Sequence, residues 1–156
     1  MQVHLIAAGT RMPRWVTEGY DEYARRLPHE CRLQLREIPL GRRRGGDTVR
    51  AVTEEGDRML AALSGHDLRV VALAVDGRAW STEALARQLD GWLHDGRDLA
   101  LLIGGPDGLA TACRERAEFA WSLSPLTLPH GLVRVLVAEQ LYRAWSILAG
   151  HPYHRG

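Results

Sequence analysis

The chain reads as an α/β protein in which a mainly parallel sheet carries helices on both faces. Three observations predict this. Short apolar runs alternate with amphipathic segments along the whole length, the pattern of strands joined by crossover helices. The runs at 69–75 and 99–103 are apolar almost throughout, as strands covered on both faces are. Glycine- or proline-bent loops after apolar runs, near 104–108 and 123–130, stand where such sheets form crevices at the carboxyl ends of their strands.

In order, residues 3–8 form the first strand. Residues 13–27 place Trp15, Val16, Tyr20, Tyr23 and Leu27 near helical spacing before Pro28 stops the helix. Residues 33–38 give the second strand, and 47–63 a helix with Val49, Val52, Met59, Leu60 and Leu63 on its apolar side. The central strand at 69–75 is closed by Asp76-Gly77, a turn signal. Ser81 is placed to cap a helix bearing Leu85, Leu89, Trp92 and Leu93. A buried strand at 99–103, a short helix at 111–118 and a long helix at 132–148 complete the chain. With 156 residues and 46% hydrophobic content, residues 1–156 amount to one domain able to bury a core unaided. No internal repeat, linker or low-complexity segment interrupts it.

All 20 basic residues are arginine, which excludes a P-loop lysine, a Schiff-base lysine and a lysine general base. With 19 acids the net charge is only +1, so any contact with nucleic acid has to come from local clusters of arginine. The cluster Arg42-Arg43-Arg44, between Gly41 and Gly45-Gly46, is either a solvated charged loop or a grip for phosphates. Arg11, Arg14, Arg25 and Arg26 are available to extend such a surface. The two cysteines, Cys31 and Cys113, lie far apart, so reduced thiols are expected and a metal or redox motif is not. His4, His29, His66 and His94 lack metal-ligand spacing, and Asp76, Asp107 and Glu139 form no recognisable carboxylate dyad. No run approaches the roughly 20 residues of a membrane span and no leader precedes the first strand, so a cytoplasmic protein is expected.

The helix at 132–148 is apolar nearly all round, which a single small sheet does not cover, and a second subunit is its natural cover. On it Glu139 and Arg143 are four apart, either an ordinary helix ion pair or a functional arginine held in place. Gly104-Gly105-Pro106-Asp107-Gly108 lacks both the P-loop and the dinucleotide-binding spacing, and such a segment alone is more often a structural turn than a ligand loop. The segment Leu123-Ser124-Pro125-Leu126-Thr127-Leu128-Pro129 combines leucines, hydroxyls and a bent backbone, suited to enclosing an aromatic ring. Together the two loops make one pocket.

Four segments, Ala8-Gly9-Thr10-Arg11-Met12-Pro13, Leu101 to Gly108, Leu123 to His130 and His151-Pro152-Tyr153-His154-Arg155, resemble in order and spacing the RlmH family. These are SPOUT-class methyltransferases acting on N3 of a pseudouridine in 23S ribosomal RNA. The resemblance covers essentially the whole chain. It implies a single SPOUT domain with a C-terminal trefoil knot, a homodimer, S-adenosylmethionine as methyl donor, 23S rRNA in the ribosome as partner, and no metal. The family's cofactor contacts fall here on Leu73, Gly104 and Gly105, and on Leu123, Ser124, Pro125, Leu126, Thr127 and Leu128. Pro125 has no N–H, so any contact donated from that main-chain position is absent. The tail, by ordinary standards a frayed terminus, implies the substrate side. His154 is the candidate acceptor of the imide proton, Arg143 and Arg155 the stabilisers of the resulting anion, and Tyr153 a stacking partner for the base. Two other readings stand beside this one: a knotted methyltransferase acting on a different RNA nucleotide, and a ribosome-associated RNA-binding protein without catalysis.

Overall fold

The computed structural model describes residues 1–155, and they form the α/β arrangement expected. Five strands, β1 (Gln2–Ala8), β2 (Arg32–Ile38), β3 (Leu68–Ala79), β4 (Asp98–Ile103) and β5 (Phe119–Ser122), make one sheet in the order β2-β1-β4-β3-β5. Every pairing is parallel, with Val3 opposite both Leu33 and Leu99, and Val71 opposite Leu101. Successive side chains of a strand point to opposite faces, and so the sheet has two cores. Val3, Leu5, Leu99, Leu101 and Val71 face one side; Ile6, Ala8, Ala100, Leu102 and Val70 face the other.

Helices α1 (Arg14–Ala24), α3 (Thr82–Asp95) and α5 (His130–Ala149) cover the first face, and α2 (Thr48–Leu63) and α4 (Thr111–Arg116) the second. Local chemistry sets their ends. The Ser81 hydroxyl accepts the Ala84 amide at 3.1 Å, the expected cap of α3, and Asp47 caps α2 by accepting from Arg50 at 3.0 Å. Gly96 (φ 79°) and Gly150 (φ 68°) close α3 and α5 in the left-handed conformation that glycine adopts without strain.

Three elements differ from the sequence reading. The Asp76-Gly77 pair does not end the central strand: β3 continues to Ala79 through an irregularity between Leu73 and Arg78, where it pairs with β5. Gly77 is there for close approach, because a Cβ on it would meet the Ala120 carbonyl carbon at 2.6 Å. β5 itself, four residues long, has no expected counterpart. The long helix starts two residues early, and its flanks are covered by α1 and α3 of its own chain. Leu132, Val133, Val135, Leu136, Glu139, Gln140, Arg143, Trp145 and Ile147 stay half-buried on α5, and of these Leu132, Leu136, Gln140, Arg143 and Ile147 fall at helical spacing along one stripe.

Candidate active site: a cofactor-sized cavity and a distant tail

At the carboxyl ends of β3, β4 and β5 lies a cavity of about 840 Å³. Leu73, Gly104 and Gly105 line it, as do Leu123, Ser124, Leu126, Thr127 and Leu128, so the two loops expected to make one pocket do so. Pro125 is the one expected contact outside the lining. Asp76, Asp107, His130 and Val133 are also part of its wall.

Backbone geometry builds this wall. The glycine turn closes on itself through the Gly108 amide donating to the Gly105 carbonyl at 3.1 Å, with Gly108 at φ 85°. A Cβ on Gly104 would meet the Gly108 carbonyl carbon at 2.5 Å and the Leu109 nitrogen at 2.6 Å, so Gly104 permits the turn itself and not merely a ligand's approach. The second loop is held from within: the Ser122 hydroxyl donates to the Ser124 carbonyl, and the Leu126 amide to Ser124 Oγ, each at 3.0 Å. At the mouth Arg114 donates to both oxygens of Asp76 (3.0 and 3.2 Å) and holds its carboxyl below the usual range.

Volume and lining fit a nucleoside-sized ligand, which calls for an enclosed, mostly apolar space with a few convergent polar groups. Leucines supply the apolar walls, while Ser124, Thr127, Asp107 and the main chain supply polar contacts.

The floor beside the cavity depends on a residue that sequence reasoning passed over. Arg134, 1% exposed, donates to Glu37 Oε2 (2.6 Å) and the Gly9 carbonyl (2.8 Å), tying α5 to β2 and to the loop after β1. One signal pointed to it: a lone arginine amid the apolar face of a covered helix needs a buried partner. His130 sits against the same loop, and burial, reinforced by the Arg134 charge, lowers its pKa and favours the neutral ring.

The tail is ordered. After α5 the His151 amide donates to the Ser146 carbonyl at 2.8 Å, and Pro152–Arg155 form a 3-10 turn against the end of the helix. Tyr153 donates its hydroxyl to Glu139 Oε1 (3.1 Å), which also accepts from Arg143 Nε (2.8 Å). The Arg143 guanidinium lies 4.9 Å from the Tyr153 ring centroid, and that ring lies 4.6 Å from Tyr142. Burial and the Glu139 charge push the Tyr153 hydroxyl up to about 12, so it remains a donor at neutral pH. His154 is half-buried, with its Nδ1 enclosed and without a hydrogen-bond partner among the described residues. Both readings of the Glu139–Arg143 pair therefore meet: it is a helix ion pair and the support of the tail.

The structure does not bring the two halves of the expected site together within one chain. The cavity touches His130 and Val133 at the start of α5, and the tail cluster gathers on Glu139, Tyr142 and Arg143 toward its end. From Val133 to Arg143 alone is about 15 Å along the helix axis.

The basic loop is divided too. Arg42 and Arg44 are exposed, whereas Arg43 turns inward and donates to Glu55 and Asp107, so a phosphate grip by all three is reduced to two free cations at most. Burial pushes the Cys31 thiol up to about 12, and both cysteines are free and buried. Among the described residues no His, Cys, Asp and Glu groups converge as metal ligands, and no helix is long and apolar enough to cross a membrane.

An all-parallel sheet with a cofactor-sized cavity between glycine and proline loops at its carboxyl ends defines a small-molecule-dependent α/β enzyme class. The family model described as "Predicted SPOUT methyltransferase" matches residues 1–154, and the chain belongs to that family. It is 67% identical over 156 residues to a ribosomal RNA large subunit methyltransferase H of Alkalilimnicola ehrlichii, covering 99% of each chain. A protein of the same description from Methylococcus capsulatus is 60% identical, covering 99% of this chain and all of the relative. Among solved structures, a probable methyltransferase from Bordetella pertussis shares the fold with a TM-score of 0.56 at 16% identity, over 91% of this chain and 95% of that one.

Proposed function

We propose that the protein uses S-adenosylmethionine to methylate RNA of the large ribosomal subunit, and that the atom methylated is N3 of a pseudouridine in 23S rRNA. The observation that carries the reading is the cavity, which gathers eight of the nine residues expected to hold the cofactor at the carboxyl ends of β3, β4 and β5. Family membership and full-length likeness to large-subunit rRNA methyltransferases support the substrate. The trefoil threading of the family and a cytoplasmic setting, where ribosomes are, belong to the same reading.

Bound S-adenosylmethionine supplies an electrophilic methyl group on a sulfonium. The chain's own residues do the rest. Leu123, Leu126 and Leu128 would enclose the adenine ring, Ser124 and Thr127 would offer it hydrogen bonds, and the glycine turn closes the wall. The imide N3–H of the target must lose its proton for nitrogen to attack. His154 receives it, for a gain of about 100- to 10,000-fold in rate. Arg143 and Arg155 stabilise the imide anion, and Tyr153 stacks on the base. Arg42 and Arg44 bind phosphates.

Each site is built from two copies. A tail about 15 Å along α5 from its own cavity serves a cavity only when a two-fold axis near the middle of the helix exchanges the helix ends between copies. The half-buried stripe Leu132, Leu136 and Ile147 is the self-complementary surface such an axis needs.

The test is transfer of a labelled methyl group to ribosomes lacking the modification, followed by mapping of the labelled nucleotide. Label on N3 of one 23S pseudouridine is expected. Label on another nucleotide shifts the substrate to that site, and ribosome binding without transfer leaves a non-catalytic RNA-binding protein.

A further inference from the structure

The arginine triplet contains one member that faces the wrong way for a phosphate. Arg43 Nη1 donates to Glu55 Oε2 (2.9 Å) and to the Gly41 carbonyl (3.0 Å), and its Nε donates to Asp107 Oδ2 (2.9 Å). Glu55 is 2% exposed and also accepts the Gly41 amide at 2.9 Å. A buried carboxylate holds such a partner firmly, because losing it would leave an uncompensated charge. The loop between β2 and α2 is therefore a strap anchored from below by Glu55, with Arg42 and Arg44 outward and Arg43 reaching across to the cavity's glycine turn.

That turn has little else behind it. On the side away from the cofactor cavity, Asp107 and Leu109 border a groove of about 340 Å³ against the start of α2. The Asp107 end of the turn is consequently placed by the ion pair rather than by packing. The other end touches the strap directly: a Cβ on Gly105 would meet Leu40 Cδ2 at 2.9 Å and Glu55 Oε1 at 3.3 Å. Strap and turn are thus joined at both ends, by the Arg43–Asp107 pair and by the approach of Leu40 and Glu55 to Gly105.

We propose that Arg43, held between Glu55 and Asp107, is a positioning residue that couples the RNA-gripping strap to the cofactor cavity, so that each ligand tightens the binding of the other. The inference rests on the function proposed above and adds a residue that touches neither ligand. Phosphates on Arg42 and Arg44 order the strap, the strap fixes the turn, and the turn walls the cofactor. Two ligands that order one element bind cooperatively, and the factor is reciprocal.

The experiment measures ribosome affinity with and without saturating S-adenosylhomocysteine, which fills the cavity without methyl transfer, using ribosomes lacking the modification. In the parent protein the ratio is expected to reach at least about fivefold. Arg43→Ala and Asp107→Asn, separately, should bring it to one, and the double variant should lose nothing more, as two residues of one link do. Arg42→Ala should weaken ribosome binding and keep the ratio. Asp107→Asn leaves the Glu55–Arg43 bond intact, so it decides the matter if Arg43→Ala does not fold. A parental ratio of one, or a ratio that survives Asp107→Asn, overturns the coupling while leaving the proposed function standing. A parent protein that binds neither S-adenosylhomocysteine nor ribosomes overturns that function instead.

Discussion

The two ends of α5 carry the two halves of the chemistry and are made of different material. At its start, the cavity is shaped by main chain: a glycine turn closed on itself, a serine-held loop and strand ends. At its finish, the tail is a cluster of side chains, with Tyr153 and Arg143 sharing one Glu139 carboxylate oxygen and the Tyr142 ring tilted against that of Tyr153. A site made of backbone is local, and its residues follow one another in the chain. A cluster of side chains announces its chemistry by residue type, while its location depends on what the helix beneath it is bound to. In the proposed two-copy site, the cavity is complete in one chain and the tail serves the other.

The largest effect should come from the tail. His154→Ala is expected to keep cofactor binding and oligomeric state and to lose about 100- to 10,000-fold in single-turnover rate. Arg155→Ala should lower the rate by less. Parental rates for His154→Ala would reduce the residue to positioning the RNA.

Next in size is the buried tie at the cavity end. Arg134→Ala leaves the Gly9 carbonyl without its buried donor and the partly exposed Glu37 carboxylate without its partner; an unsatisfied buried acceptor costs about 1–3 kcal/mol. Denaturant unfolding should show it, whereas Arg143→Ala, which removes a guanidinium far less buried than that of Arg134, should cost less stability and more turnover. Comparable losses of stability in the two would erase the contrast between the ends.

A smaller effect belongs to the strap. Arg42→Ala with Arg44→Ala should flatten the salt dependence of ribosome binding by about two charges' worth of slope, leaving cofactor affinity in place. An unchanged slope returns both residues to solvent.

The smallest effect is a titration at the cavity end. His130 has a folded pKa below its unfolded value. The unfolded chain therefore takes up a proton first as pH falls, and stability drops below the ordinary histidine range and levels off once the folded group has titrated. His130→Gln should remove that portion of the acid loss in unfolding curves measured against pH.

Much of this was legible in the residues, for reasons that can be named. Alternating periodicities exposed four strands and every α-helix, because strands covered on both faces and helices covered on one leave strong patterns. β5 was hidden because four residues carry no period and its pairing with β3 runs through an irregular register. The Asp76-Gly77 signal misled because Gly77 serves a close approach of strands instead of a turn. The cofactor loops were readable from bent backbone and apolar walls. Arg43 was not, since nothing local distinguishes an arginine facing water from one committed to a buried carboxylate elsewhere in the chain, and Arg134 had only its place on an apolar helix face to mark it.

The claim that cavity and tail come from different copies has one direct measurement. A cavity variant, Gly104→Val, and a tail variant, His154→Ala, are each expected to be inactive in methyl transfer to ribosomes. Co-folded in equal amounts they should recover about a quarter of the parental activity, because half of the dimers are mixed and each mixed dimer holds one intact pairing of cavity and tail. If the mixture stays as inactive as its components, cavity and tail must act within one chain, and the two-copy site is wrong.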